Sequence, residues 1–257
     1  MEIYQHFRKE EKVFIDNVLD WKEHVETYYS PKLSSFLDPR EQQIVTAIIG
    51  NNEDCRLAFF GGYKEAERKR ALLYPQYDEV APEDFQCSLI EISYNKKFHE
   101  ITHPQILGTV MSLGMRRDKF GDVLLSDQAA QVIVDKEIAS FVCNNIDKIG
   151  QAGVTLQEIR LRDVVPVYTN WQEGTLTSSS LRLDSLLSSM SRLSRQKAQE
   201  YIAAGHVKVN HMVIEEKDYP CHQGDTISCR RYGRFKIMEI EGRTKKDKWK
   251  IVFGQQK

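Results

Sequence analysis

Apolar residues recur every three or four positions through Phe7, Val13, Phe14, Val18, Leu19 and Trp21. That spacing predicts an amphipathic helix, and residues 1–50 read as helical throughout, with Pro31 breaking the run. Asp38-Pro39 has the form of a helix start, a carboxylate cap followed by proline in the first turn, and Gly50 supplies the stop. Two apolar stretches, 57–60 and 71–74, flank Gly61-Gly62 and a charged segment, which predicts a hairpin with a long turn. Lys64, Arg68, Lys69 and Arg70 lie in that turn, either as RNA contacts or, the favoured reading, as a solvated loop.

From Cys87 the pattern changes to strand (SLIEISY), helix (HPQILGTVMSLG), strand (GDVLLS), strand (AAQVIVD), helix (EIASFVCNNIDKIG) and strand (TLQEIRL). Two such halves predict a split βαβ, ferredoxin-like sandwich, a plan many RNA-binding domains use. No Gly-Phe-Gly-Phe-Val type strand is present, so the aromatic signature of the RNA recognition motif is missing. Residues 169–180, TNWQEGTLTSSS, are polar with a serine run and read as a linker. Beyond it, Leu183, Leu186, Leu187 and Met190 have helical spacing. A second short helix follows, RQKAQEYIAAG, capped by Ser194 and stopped by Gly205. Val207 and Val209 then alternate with Lys208 as in a half-buried strand, Asn210 begins a turn, and 212–214 return.

The sequence therefore predicts an α+β, multidomain protein. Residues 1–80 form an N-terminal α/β region, helical with a β-hairpin. Residues 81–168 form a central ferredoxin-like domain expected to bind RNA. Residues 169–180 link it to a C-terminal domain, 181–257.

Charge changes this picture. The net charge is −1 over 257 residues, but 181–257 hold 16 Lys and Arg against 9 Asp and Glu, while the first 180 hold 20 against 28. A basic tail on an acidic body suggests a polyanionic partner. No apolar run has the length of a membrane span, and the N-terminus lacks the apolar core of a secretory signal. With five scattered cysteines and no C-x-x-C pair, a cytoplasmic protein is expected.

Two segments resemble catalytic motifs. His99–His103 reads HEITH, the H-E-x-x-H of zinc peptidases, which requires one uninterrupted helix. Pro104 disfavours helical angles at His103 and the preceding segment alternates like a strand. The motif is expected to span a strand end and a turn, with Thr102 or His103 capping the next helix and no metal bound. Arg182-Leu183-Asp184 matches the triplet around the catalytic aspartate of one pseudouridine synthase family, but without its flanking Gly and Thr-Ser-Gly. Asp184 in the first turn of a helix is stabilised there by the helix dipole, a structural role. No catalytic residue and no cofactor are expected.

The RNA surface is expected in the C-terminal domain. Arg195 and Lys197 occupy the first helical turn after Ser194, where cations oppose the helix dipole. A docked phosphate removes the conflict, since N–H groups, dipole and cations all face it. Lys208 and Asn210 extend that patch. Arg230, Arg231, Arg234 and Lys236 lie beside Tyr232 and Phe235, a mixture suited to phosphate contact and base stacking. In the central region Arg116, Arg117 and Lys119 are candidates for a second RNA surface, with a solvated loop as the equal alternative.

RLDSLL at 182–187, LSRQKAQEYI at 193–202, GHVKVN at 205–210 and GDTIS at 224–228 together resemble the S-four-type (αL) RNA-binding domain. The resemblance implies an L-shaped surface for structured RNA, with Arg182, Arg192, Ser194, Arg195, Lys197, Lys208 and Asn210 as contacts. Along nearly its full length the chain resembles the YlmH-like proteins of low-GC Gram-positive bacteria, through 59–75, 106–125, 179–187 and 232–248. Arg231 departs from that pattern, which favours glycine there, and 103–105 reads HPQ where charged residues often follow the histidine. The resemblance implies a non-enzymatic factor that binds rRNA and tRNA on the ribosome. It points to the large subunit with peptidyl-tRNA, in quality control and rescue of stalled chains, and to a cell-division gene neighbourhood. It implies no membrane partner, and no oligomer is expected. The alternatives are an RNA-modifying enzyme of the pseudouridine synthase type and a protein-binding division scaffold.

Overall fold

The computed structural model describes residue 7 and residues 9–50, 54–126, 129–165 and 171–256. The chain divides into two compact units, Met1–Val167 and Tyr168–Lys257.

The first unit opens with α1 (Lys12–Tyr28), β1 (Lys32–Leu37) and α2 (Pro39–Ile49). Asp38 caps α2 as its sequence suggests: Glu41 N donates to Asp38 Oδ1 at 2.9 Å, and Asp38 N donates to Glu41 Oε2 at 2.7 Å. β1 interrupts the helical run expected over 1–50. It pairs antiparallel with β3 (Lys69–Pro75), which pairs with β2 (Cys55–Phe60). Then come β4 (Cys87–Tyr94), α3 (His103–Ser112), β5 (Phe120–Leu125), β6 (Ala130–Asp135), α4 (Ala139–Asn145), β7 (Lys148–Ile149) and β8 (Ala152–Ile159). Their antiparallel sheet runs β5-β6-β4-β8-β7, whose first four strands have the ferredoxin-like order. The second helix is shorter than expected, because residues 148–149 leave it to form β7.

Strand alternation explains how the layers stack. In β3, Ala71 and Leu73 join the helical core with Ile15, Val18 and Ile44, while Leu72 between them joins Phe36, Leu89, Leu124 and Ile133. In β4 and β6, Ile90, Ile92, Val132 and Val134 face α3 and α4, whereas Leu89 and Ile133 face the other sheet. Residues 1–80 and 81–168, read as separate regions, share this inter-sheet core.

The FFGGYKEAERKR turn is bound into that core. A Cβ on Gly61 would stand 2.3 Å from the Arg68 carbonyl oxygen, so only glycine fits. Asp122 Oδ2 accepts from Tyr63 Oη at 2.9 Å and from Glu67 N at 2.7 Å, and Oδ1 from Arg68 N at 3.1 Å. Burial, then the neighbouring Asp122 charge, push the Tyr63 phenol up. Arg68 donates to the carbonyls of Phe120 and Phe36, and Arg70 pairs with Asp135 at 3.2 Å. Arg68 and Arg70 thus tie sheet to sheet and do not line a solvated loop.

The second unit comprises β9 (Trp171–Ser178), α5 (Leu183–Ser191), α6 (Arg195–Ala203), β10 (Val207–Val209), β11 (Met212–Val213), β12 (Thr226–Cys229), β13 (Gly233–Arg243) and β14 (Trp249–Gln256). Its sheet order is β11-β10-β12-β13-β14-β9. The segment expected as a linker is therefore an edge strand over residues 171–178, paired with β14 from Trp171↔Gln256 to Ser178↔Trp249. Residues 169 and 170 lie outside the described residues. Leu183, Leu186, Leu187, Ala198 and Ile202 seat α5 and α6 on one face of this sheet, against Val207, Val209, Ile227, Phe235 and Ile237.

Candidate nucleic-acid interface

The corner between α5 and α6 is organised by a carboxylate. Asp184 is 0% exposed. Arg182 donates to it through Nε at 3.2 Å and Nη2 at 3.3 Å, Arg195 through Nε at 3.1 Å and Gln199 through Nε2 at 2.7 Å. The two arginine side chains remain 38% and 55% exposed. The sequence placed Asp184 in a helix dipole; its larger role is to anchor two guanidiniums by their inner edges and leave their outer edges in solvent. Burial alone would raise the Asp184 carboxyl. Hydrogen bonds from Gln199, Arg182 and Arg195, with the charge of Arg195, outweigh it and hold the carboxyl down to about 2.

This corrects the expected electrostatics. The cations at the start of α6 are balanced in part by the protein itself, one carboxylate against Arg182 and Arg195. One positive charge of that triad is uncompensated, and exposed Lys197 adds a second. Ser194 Oγ accepts from Lys197 N at 3.2 Å, so this hydroxyl oxygen serves first as the helix cap. Arg192, exposed, ends α5 in the left-handed region at φ +57°.

A depressed folded-state carboxyl has a pH signature. Stabilisation from Asp184 is fully present above the ordinary carboxylate value of 3.8 and is lost as pH falls toward about 2. The contribution amounts to about 2 kcal/mol. Denaturation of the wild type and Asp184→Asn should therefore differ at pH 7 and converge near pH 2; a gap unchanged between those values would contradict the assignment.

Strand alternation separates Lys208, Arg234 and Lys236 from this corner. Val207 and Val209 point into the helix-facing core, so Lys208 points to the opposite face. Lys208, Ser228 and Arg234 are lateral neighbours in register, and Lys236 lies one pleat further on that outer face. Lys208 therefore does not extend the helical patch. Nor does Asn210: its Nδ2 donates to Asp225 Oδ1 at 2.7 Å and its Oδ1 accepts from Thr226 N at 2.9 Å, which commits the side chain to the turn. Arg230 and Arg231, both exposed, occupy the β12–β13 turn.

In the first unit, the expected second surface is largely consumed. Arg117 donates to the Phe120 carbonyl at 2.5 Å and the Gly121 carbonyl at 3.3 Å, and burial, with Arg68 nearby, pushes it down to about 10. Lys119 pairs with Asp135 at 2.8 Å and Glu137 at 3.0 Å. Only Arg116 extends well into solvent, beside Asp118. In HEITH, Thr102 is the helix cap, its N donating to Gln105 Oε1 at 2.9 Å, and α3 begins at His103, so the two histidines do not share a helix. Among the described residues no group of three or more His, Cys, Asp or Glu stands close enough to hold a metal, and no helix is long and apolar enough to cross a membrane.

Family models match at residues 10–78 ("YlmH, N-terminal"), 81–163 ("Putative RNA-binding domain in YlmH") and 181–227 ("S4 domain"). A Bacillus subtilis (strain 168) protein, "Ribosome-associated protein quality control protein P2", is 45% identical over 256 residues, covering 100% of this chain and 99% of its own. The chain belongs to the YlmH family. A solved member, "Cell division protein ylmH from Streptococcus pneumoniae", is 33% identical with a TM-score of 0.55, covering 63% of this chain and 99% of its own. The S4 match spans residues 181–227, so β13, β14 and β9 extend this chain's sheet beyond the matched segment.

Proposed function

We propose that this protein is a non-enzymatic factor that grips structured RNA on the ribosome through the α5–α6 corner, with the large subunit carrying peptidyl-tRNA as its target in quality control of stalled chains. The observation that carries this reading is the Asp184 anchor, which presents Arg182 and Arg195 outward beside Lys197 in an S4 domain. Pre-oriented guanidiniums suit phosphate, because their forked donors match its oxygens and little side-chain freedom is lost on contact. The name of the Bacillus subtilis relative supports the ribosomal setting. A ribosomal partner supports the cytoplasm as its location.

Sedimentation of the full chain with separated subunits tests this. The protein should pellet with large subunits that hold peptidyl-tRNA and be released by salt. Pelleting with small subunits alone would overturn the assignment. The Streptococcus pneumoniae relative's name raises a division scaffold as a second reading, which retention of protein partners after nuclease treatment would favour.

A further inference from the structure

A cleft of about 460 Å³ lies in the second unit between the end of α5 and the β13–β14–β9 end of the sheet. Its chemistry is graded. Met190, Phe235 and Phe253 give it an apolar floor, and Phe253 can lie low because Gly174 has no side chain: a Cβ there would stand 2.9 Å from the ring. Gln172 and Gln255, paired across β9 and β14, bring two amides to it. Arg192 and Arg231 reach the rim from two different turns, with Tyr232 beside them. Tyr232 is held edge-on by Tyr201 at 5.3 Å between ring centroids. Glu173 also borders the cleft, but the pleat turns its side chain to the face opposite Gln172 and Gly174.

The backbone of Arg231 adds an independent observation. It lies at φ +73°, in the left-handed region that favours glycine. A non-glycine residue there carries a backbone cost, which fits a role for its side chain at the rim of the cleft. Arg192, on the same rim, is likewise left-handed at φ +57°.

We infer that the cleft receives one unpaired nucleotide of a bound RNA, its base on the apolar floor and its phosphate between Arg192 and Arg231. This rests on the RNA-binding reading and adds a site to it. The volume falls within the roughly 300–1,000 Å³ typical of small-ligand sites. A duplex cannot enter such a space, whereas a splayed base can, with an aromatic side chain to stack on and amides to meet its polar edge. Guanidiniums at the mouth match the phosphate that follows the base.

The test uses the full chain and a fluorescent single-stranded RNA oligonucleotide, read by anisotropy. Arg231→Gly should weaken binding about five- to tenfold while the thermal midpoint stays level or rises, since glycine relieves the positive φ. Gln255→Trp, which fills the cleft without changing charge, should weaken it similarly. Loss with Arg231→Gly but not with Gln255→Trp would mean that the arginine acts only as a surface cation, and the cleft would be no nucleotide site. Wild-type binding by both variants overturns the inference outright. Ribosome pelleting by the Arg195→Glu/Lys197→Glu protein is the separate readout for the α5–α6 corner, so failure of the cleft and failure of the corner are told apart.

Discussion

Reversing Arg195 and Lys197 together to glutamate should weaken binding to ribosomal RNA by roughly a hundredfold, with the second unit still folded. Hydrogen bonds to charged groups contribute about 1.5–3 kcal/mol each, and every 1.4 kcal/mol is tenfold in affinity. Both side chains project from the first turn of α6, so two phosphate contacts are removed and two repulsions added. Lys197→Glu by itself should fold well, because an acid in the first turn suits the helix dipole. Arg195→Glu places a second carboxylate beside Asp184, and that variant must be checked by circular dichroism. Unchanged pelleting of a folded double variant with ribosomes would remove the corner from the interface.

Asp184→Ala should destabilise the second unit by about 3 kcal/mol, the lower end of the range for breaking a buried ion pair, since both guanidiniums reach solvent. Arg182, Arg195 and Gln199 would lose their common acceptor, and two like charges would face a cavity. Asp184→Asn keeps the shape and should cost less. Both variants should also bind RNA more weakly despite carrying more positive charge, because the arginines lose their fixed orientation. That sign separates an anchoring carboxylate from a mere counter-charge, whose removal would tighten binding to a polyanion. Chemical denaturation and RNA titration of the same preparations measure both effects.

Much of the fold was legible because its helices and central strands carry strong periodicities. The Leu183, Leu186, Leu187 and Met190 spacing marked α5, the alternation in SLIEISY marked β4, and the short apolar run in AAQVIVD marked β6. β9 escaped because polar residues fill most of its positions: Gln172, Glu173, Thr175 and Thr177 leave Trp171 and Leu176 as its large apolar residues. Its strand character comes from pairing with β14, more than seventy residues away, which no local pattern encodes. β1 is short, with Ser34 and Ser35 between its apolar positions, and the helical runs on either side masked it.

In the site, Arg182, Arg192, Arg195 and Lys197 lie on or beside the α5–α6 corner, as their place in the first helical turn suggested for Arg195 and Lys197 and the family resemblance for Arg182 and Arg192. Proximity along the chain misled for Lys208, which the two-residue period of β10 carries to the other face. Asn210 misled because its amide is spent on Asp225 and Thr226, fifteen and sixteen residues on. The anchoring role of Asp184 was hidden for the same reason. Its partners Arg195 and Gln199 come together with it only when α5 and α6 pack, although a carboxylate followed by Arg and Gln one turn apart on the next helix was a usable signal.

The most direct test of the account is the salt dependence of binding between the full chain and the RNA of the large subunit. If about five phosphates are engaged and each contributes the single-strand value of about 0.7, log affinity should fall against log salt with a slope of about −3.5, and the Arg195→Glu/Lys197→Glu protein should show a slope shallower by about 1.4. A slope near zero in the wild type, or one that the double variant leaves unchanged, would contradict recognition of RNA through the phosphates at the α5–α6 corner.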